Sequence, residues 1–196
     1  MYRDFARNFK KGIERINYFC NELEISNHTK IDAIELFKKI LRKKLTLGRS
    51  IDILIVTSIY ISCLFNQEPI PLTFIAQKCK ISRVKISRVY RSLRDELDLK
   101  IPPPDLYKFL TFFLNKLNLP NDLFETAKSL ISQILEKNID QGKDPSSIIG
   151  AVIYIAGKIK GKLCTQRTIC KTLRISAVTI RLRSKEIKEG LKIYFK

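Results

Sequence analysis

The sequence is poor in residues that break helices, with only seven glycines and seven prolines among 196 residues. A fold built from strands and tight turns needs more of both, whereas leucine, isoleucine and lysine abound here. The 45% share of hydrophobic residues is that of a chain that forms a core. The composition therefore predicts an all-α protein of one domain, or of two domains of roughly 100 residues each.

Long apolar runs are missing as well. Arginines and lysines interrupt residues 1–12, so this segment lacks the apolar centre of a secretory signal. The longest apolar segment, residues 51–65, carries Asp52 and is shorter than the roughly 20 residues that cross a bilayer. We expect no membrane partner and a cytoplasmic, nucleoid-associated location, or a nuclear one if the source is eukaryotic.

Residues for metal binding and catalysis are scarce. Histidine occurs once, as His28, and no C-x-x-C pair exists, so neither a zinc site nor a Cys/His nucleophile pair is predicted. The sequence also lacks a glycine-rich phosphate loop, which argues against an enzyme, a cofactor and a small-molecule substrate. The cysteines are odd in number and lie mostly in apolar helical patterns, so we expect reduced core thiols. They are Cys20, Cys63, Cys79, Cys164 and Cys170.

The sequence does contain an internal duplication. Placing Gly48 on Gly142, 94 residues apart, aligns residues 59–61 (Ile-Tyr-Ile) with residues 153–155 (Ile-Tyr-Ile) without a gap. The same offset aligns matching residues over about ninety positions, as a repeat requires. We therefore predict two domains, 1–100 and 101–196, joined near residues 100–105, where the three prolines at 102–104 forbid helix.

Each copy is predicted to hold five helices. The third is apolar on nearly every face, which puts it at the centre of a five-helix bundle, the arrangement of the cyclin box. The fourth and fifth form a pair with a short turn, similar to a helix-turn-helix. The predicted helices are 9–23, 27–44, 50–65, 71–79 and 82–97, then 106–117, 121–137, 145–160, 165–173 and 176–191. Predicted cap residues are Asn27, Ser50, Asn121, Asp144, Thr165 and Ser176.

The net charge of +18 is shared equally, because residues 1–100 and 101–196 each contribute +9. Within each half it is concentrated on the last helix pair: residues 78–94 hold seven basic residues and no acidic one, and residues 158–185 hold nine. Such a surface suits the phosphates of double-stranded DNA. The alternatives are a solvated face, or an acidic membrane, which would also need an exposed apolar stripe.

The last helix can be phased residue by residue at about 100° each. The predicted core face holds Ile180, Ile187 and Leu191. The opposite side holds Val178, Arg181 and Lys185, with Thr179 and Arg183 on the flanks. An outward valine beside an arginine suits a major groove, where it can touch a thymine methyl while arginine binds guanine. The alternative is that Val178 packs under its own turn.

Several motifs together resemble a known family. They are G-R-S-I at residues 48–51, the helix 56–63, G-K-D-P at 142–145, A-x-I-Y-I-A at 151–156, T-Q-R at 165–167 and V-T-I-R at 178–181. In this duplicated setting they resemble the core of archaeal transcription factor B, the counterpart of eukaryotic general transcription factor IIB. The resemblance implies a general transcription initiation factor that binds promoter DNA together with TATA-binding protein, with RNA polymerase as a further partner.

The resemblance also implies roles for single residues. Val178 and Arg181 match the pair that reads the upstream recognition element in this family, and Arg88 matches an arginine near the downstream contact. The candidate DNA-binding residues are Arg83, Lys85, Arg88, Lys162, Gln166, Arg167, Val178, Thr179, Arg181, Arg183 and Lys185.

The sequence departs from the family pattern at two points. It has no zinc ribbon, so the alternative function is that of a ribbonless paralogue or adaptor, which binds DNA and regulates or inhibits transcription without recruiting polymerase. Lys80 and Arg174 stand where the turn of the last helix pair often has glycine. A cyclin that binds a kinase is a further alternative, although the basic fifth helices argue against it.

Overall fold

The structure, a computed structural model, describes residues 2–161 and 165–193, with side chains from Phe5 onward. Its described residues form ten α-helices and no strand. The chain divides into two compact units, 1–103 and 104–196, so the division falls within the proline run. The first unit contains α1 (Tyr2–Glu22), α2 (Asn27–Arg42), α3 (Ile51–Phe65), α4 (Leu72–Lys78) and α5 (Arg83–Glu96). The second contains α6 (Leu106–Leu117), α7 (Asn121–Glu136), α8 (Pro145–Ile159), α9 (Gln166–Leu173) and α10 (Ala177–Leu191).

The third helix of each unit is its centre, as predicted. Every residue of α3 from Leu54 to Ile59 is buried, and so is every residue of α8 from Ser146 to Ile153. Each unit has a hydrophobic core of its own. In both, the tyrosine of the Ile-Tyr-Ile triplet, Tyr60 or Tyr154, is only half-buried. The predicted all-α fold with a five-helix bundle in each unit is confirmed.

The loops repeat as faithfully as the helices. Twelve described residues have a left-handed backbone, and they form six pairs 94 residues apart. A left-handed residue after a helix ends it by turning the chain away, and glycine adopts this conformation most readily. The pairs are Glu24 with Asn118, Lys44 with Asn138, Gly48 with Gly142, Gln67 with Gly161, Lys80 with Arg174, and Asp98 with Lys192.

The structure corrects three details of the prediction. Helix α1 begins at Tyr2 and not at residue 9, because Phe5 continues its apolar stripe and stacks on Phe9 at 5.8 Å between ring centroids. Asn27 and Asn121 are the first residues of α2 and α7 and not their caps. Ser26 caps α2, since its hydroxyl accepts a hydrogen bond from the Thr29 N–H. Pro120 stands in the cap position of α7.

The cysteines that the structure describes are free thiols, and burial keeps them protonated. Cys20, Cys63 and Cys79 are buried and Cys170 is half-buried, all four without a disulfide. Burial raises the pKa of Cys20 and of Cys79 to about 12. Cys164 lies outside the described residues. In the described part of the chain no three His, Cys, Asp or Glu side chains meet as a metal site would need, and no helix is long and apolar enough to span a membrane.

Candidate nucleic-acid interface

Each unit ends in a helix pair with the same turn. In the first, Lys80 is left-handed (φ 54°) and the Ile81 N–H donates to the Ala76 carbonyl at 2.9 Å. In the second, Arg174 is left-handed (φ 54°) and the Ile175 N–H donates to the carbonyl of Cys170 at 3.3 Å. A non-glycine residue costs roughly 1–2 kcal/mol in this conformation. The turn forms in both units despite this cost, and its left-handed position holds a basic residue in each.

The predicted phase of α10 is confirmed. Ile180 and Ile187 are fully buried and Leu191 is buried, so this face packs on the core. Val178 is 54% exposed, which contradicts the alternative that it packs under its own turn. Arg181 is exposed beside it and has no carboxylate partner among the described residues. The outward face of α10 thus offers an apolar side chain next to a guanidinium that has no carboxylate partner in the described part of the chain.

Arg183 differs from Arg181, although only one residue separates them. It is half-buried, and its Nη1 lies 2.6 Å from Oε2 of Glu186. The Nζ of Lys143, in the loop before α8, lies 2.9 Å from the same oxygen. The hydrogen bond from Lys143, and then the one from Arg183, lowers the pKa of Glu186. The charge of Arg183 is therefore balanced within α10, and it is the Lys143–Glu186 ion pair that joins α10 to the loop before α8.

The remaining candidates of the second unit are less uniform. Lys185 is exposed, with its Nζ 3.8 Å from a carboxylate oxygen of Glu189. The Thr179 hydroxyl shares a 2.8 Å hydrogen bond with the cap residue Ser176, and Thr179 is half-buried. Arg167 is exposed and Gln166 half-buried in the first turn of α9. Lys162 lies outside the described residues.

On its first two turns, helix α5 of the first unit presents basic residues and no acidic ones. Arg83, Lys85 and Arg88 are all exposed, and none of them forms an ion pair with a carboxylate of the described chain. At the two ends of the acid-free stretch 78–94 the basic residues are paired. The Nζ of Lys78 lies 3.4 Å from Oε2 of Glu22, and the Nη2 of Arg94 lies 2.9 Å from Oδ1 of Asp95. The unbalanced charge is thus concentrated in the middle of the helix pair.

The comparison with known families follows this geometry. A family model described as "Transcription factor TFIIB repeat" matches residues 6–96 and, a second time, residues 101–190. The chain belongs to the TFIIB repeat family. The match confirms the resemblance drawn from the motifs and, with the ten helices, the fold of two cyclin-like repeats.

Two archaeal relatives illustrate this match. The chain is 33% identical over 187 residues to "Transcription initiation factor IIB 2" of Thermoplasma acidophilum, covering 95% of this chain and 61% of that protein. It is 34% identical over 185 residues to "Transcription initiation factor IIB" of Ignicoccus hospitalis, covering 94% of this chain and 58% of that one. The chain thus spans about three fifths of the length of these relatives. A viral cyclin from herpesvirus saimiri is a distant structural match, with 14% identity and a TM-score of 0.41 over 96% of this chain and 86% of the cyclin.

Two outward residues of these TFIIB repeats were missed by the sequence reasoning. Val84, the second residue of α5, is 65% exposed, and Leu182 on α10 is 57% exposed. The signal for Val84 was available, because it stands 94 residues before Val178. Leu182 lies one helical turn after Val178 and widens the apolar part of the outward face of α10.

Proposed function

We propose that this chain is the DNA-binding core of a general transcription initiation factor, which binds the complex of TATA-binding protein and promoter DNA. The observation that carries the proposal is the outward face of α10, where exposed Val178 stands beside Arg181, which no carboxylate of the described residues pairs with. Family membership supports it, since the relatives are named transcription initiation factors.

The two sides of α10 have different roles, since one packs on the core and the other is available to DNA. Ile180 and Ile187 fix the helix on the core, so its backbone is already ordered before DNA binds. In the major groove, Val178 can contact a thymine methyl and Arg181 can donate two hydrogen bonds to guanine. Such contacts depend on the base pair and therefore supply preference for the DNA that flanks the TATA element.

Exposed basic residues supply the part of binding that is independent of sequence. On α5 these are Arg83, Lys85 and Arg88, and on α9 Arg167. Each phosphate they neutralise releases counterions, so affinity falls as salt rises. The energy from this term alone gives weak binding to any duplex, which is why we expect TATA-binding protein to be needed for tight binding at a promoter.

A gel-shift titration tests the proposal. The chain is titrated onto a duplex with a TATA element, with and without TATA-binding protein, at two salt concentrations. We expect cooperative binding that requires TATA-binding protein and survives at the higher salt. Equal binding with and without that protein would make the chain a stand-alone DNA binder, and no binding to either would refute the proposal.

A further inference from the structure

The turn before α10 carries an arginine in a backbone conformation that few side chains adopt. Arg174 has φ 54° and is exposed. In this left-handed region the Cβ atom comes too close to the following carbonyl oxygen, so glycine is the residue that usually ends a helix in this way. The second unit would therefore be more stable with glycine at this position, and the arginine lowers the stability of the unit that contains it.

Left-handed residues end helices in several parts of the chain, but only this turn holds a cation in both copies. Of the six pairs of left-handed residues found 94 positions apart in the described chain, Lys80 and Arg174 form the one pair in which both members are basic. The negative end of a helix does not require a cation here, since Glu24 and Asp98 hold the left-handed places after α1 and α5. A basic side chain at this turn thus has another use.

The turn is held firmly on the centre of the second unit. The Ile175 N–H donates to the Cys170 carbonyl at 3.3 Å. The Ile175 side chain packs over Gly150 of α8, where even an added Cβ atom would lie 2.7 Å from Ile175 Cδ1. On the other side of the turn, a capping hydrogen bond of 3.0 Å begins α10. The backbone of Arg174 is thus fixed between two anchored segments, so binding has to order only its side chain.

The position of Arg174 along the chain suits a phosphate. It stands four residues before Val178 and seven before Arg181, the two residues to which we attribute base contacts. In a helix-turn-helix the first helix crosses the DNA backbone while the N-terminal residues of the second contact base edges. The turn between them therefore lies at the edge of the groove, where the phosphates are. A guanidinium binds a phosphate through two parallel hydrogen bonds.

We propose that Arg174 binds a DNA phosphate at the edge of the groove that α10 enters, and that the unit loses stability by holding an arginine there. This inference rests on the proposed function, because it assumes that the second unit binds duplex DNA. A phosphate contact carries no sequence information. Arg174 therefore fixes the position of α10 on the duplex, while Val178 and Arg181 supply the preference for base pairs.

Replacement with glycine tests the inference, because stability and binding should change in opposite directions. Arg174→Gly removes the unfavourable conformation, so the midpoint of thermal unfolding of the second unit should rise by roughly 4 °C. The slope of log affinity against log salt should fall by about 0.9, the value for one lost phosphate contact. Binding to the complex of TATA-binding protein and promoter DNA should then be roughly eightfold weaker at about 0.1 M salt. The loss should be equal on preferred and scrambled flanks, as expected of a phosphate contact.

Two further variants separate the position of the charge from its presence. Lys192 is also exposed and left-handed (φ 55°), but it follows α10 at the other end of this 15-residue helix, about 22 Å from its beginning. Lys192→Gly removes one charge and one left-handed side chain, so it should raise the unfolding midpoint and leave the salt slope almost unchanged. Arg174→Lys keeps the charge and should therefore keep both the slope and the unfolding midpoint of wild type.

The possible failures are distinguishable. If Arg174→Gly binds with the affinity and slope of wild type, the inference is overturned while the proposed function stands. A loss confined to preferred flanks would mean that Arg174 reads a base, and an equal loss in Lys192→Gly would mean that only net charge matters; either result overturns the inference. An unfolding midpoint that does not rise would refute the loss of stability. If wild type does not bind the complex of TATA-binding protein and promoter DNA, the proposed function fails as well.

Discussion

Two arginines on α10, with one residue between them, differ in exposure and in their partners. Arg181 is exposed without a carboxylate partner among the described residues, whereas Arg183 is half-buried against Glu186. A charge already balanced inside the protein has less to gain from a phosphate or a base. We therefore propose that Arg181 takes part in recognition, whereas Arg183 pairs with Glu186, the residue that Lys143 binds from the loop before α8.

Arg181→Ala should weaken binding by about 1–3 kcal/mol on a preferred site next to the TATA element. The loss should be much smaller on scrambled flanks, because a base contact carries sequence information and a phosphate contact does not. The measurement is the dissociation constant on both duplexes in the presence of TATA-binding protein.

Arg183→Ala is the control for this prediction, because it removes the same charge from the same helix. It should keep the discrimination between flanks and slightly lower the stability of the second unit, since Glu186 retains only Lys143. If Arg181→Ala loses affinity equally on all flanks, Arg181 clamps the backbone instead of reading bases.

The sequence predicted which side of α10 faces the core, because Ile180, Ile187 and Leu191 recur with the helical period. It could not predict the ion pair between Lys143 and Glu186. Lys143 is distant in sequence and reaches Glu186 only in the folded unit. Helical phase is local information, whereas an ion pair across elements is not.

At the scale of the helix, the exposed basic residues of α5 predict a salt dependence. Replacing Arg83, Lys85 and Arg88 together with alanine should weaken binding on every duplex and flatten the plot of log affinity against log salt. The slope should fall by about 0.9 for each phosphate that the protein no longer neutralises. Titrations at several salt concentrations on one duplex measure this.

A matched triple variant on α2 separates local binding from overall charge. Lys39, Arg42 and Lys43 are also exposed, and their replacement with alanine removes the same three charges. We expect this control to leave most of the slope intact. Equal flattening by both triples would mean that α5 acts only through the net charge of the molecule.

The caps of the two last helices permit a second paired prediction. The Ser176 hydroxyl accepts a 3.0 Å hydrogen bond from the Thr179 N–H, whereas the equivalent Ser82 makes no side-chain cap bond. Ser176→Ala should therefore cost about 1 kcal/mol of unfolding free energy. Ser82→Ala should cost clearly less, and equal costs in urea denaturation would contradict the difference between the caps.

Ten helices could be predicted from the sequence because apolar periodicity and cap residues agree in both copies. Two of the three errors concern the caps of α2 and α7. Ser26 and Asn27 are both good caps, and only the 3.3 Å bond from the Thr29 N–H to Ser26 decides between them. For α7, the sequence indicated Asn121 as the cap, but Asn121 is the first residue of the helix and Pro120 takes the cap position.

At the scale of the whole molecule, both copies have an ion pair between the loop before the third helix and the last helix, which their alignment does not show. The residue after the shared glycine is Arg49 in one copy and Lys143 in the other, and each binds a glutamate of the last helix. The glutamates, Glu96 and Glu186, are not 94 residues apart. The ion pair between loop and helix is thus present in both units, although its glutamate stands at a different position in each.

Because each unit has its own core, each should respond separately to a change in its central helix. Ile59 and Ile153 occupy equivalent positions on α3 and α8, and both are fully buried. Ile59→Val and Ile153→Val should each cost about 0.5–1.5 kcal/mol, which leaves the fold intact. Hydrogen exchange measured by mass spectrometry should show faster exchange of the slowest amides in residues 1–103 for the first variant, and in residues 104–196 for the second. Faster exchange in both units from either variant would mean that the two repeats unfold as one cooperative body.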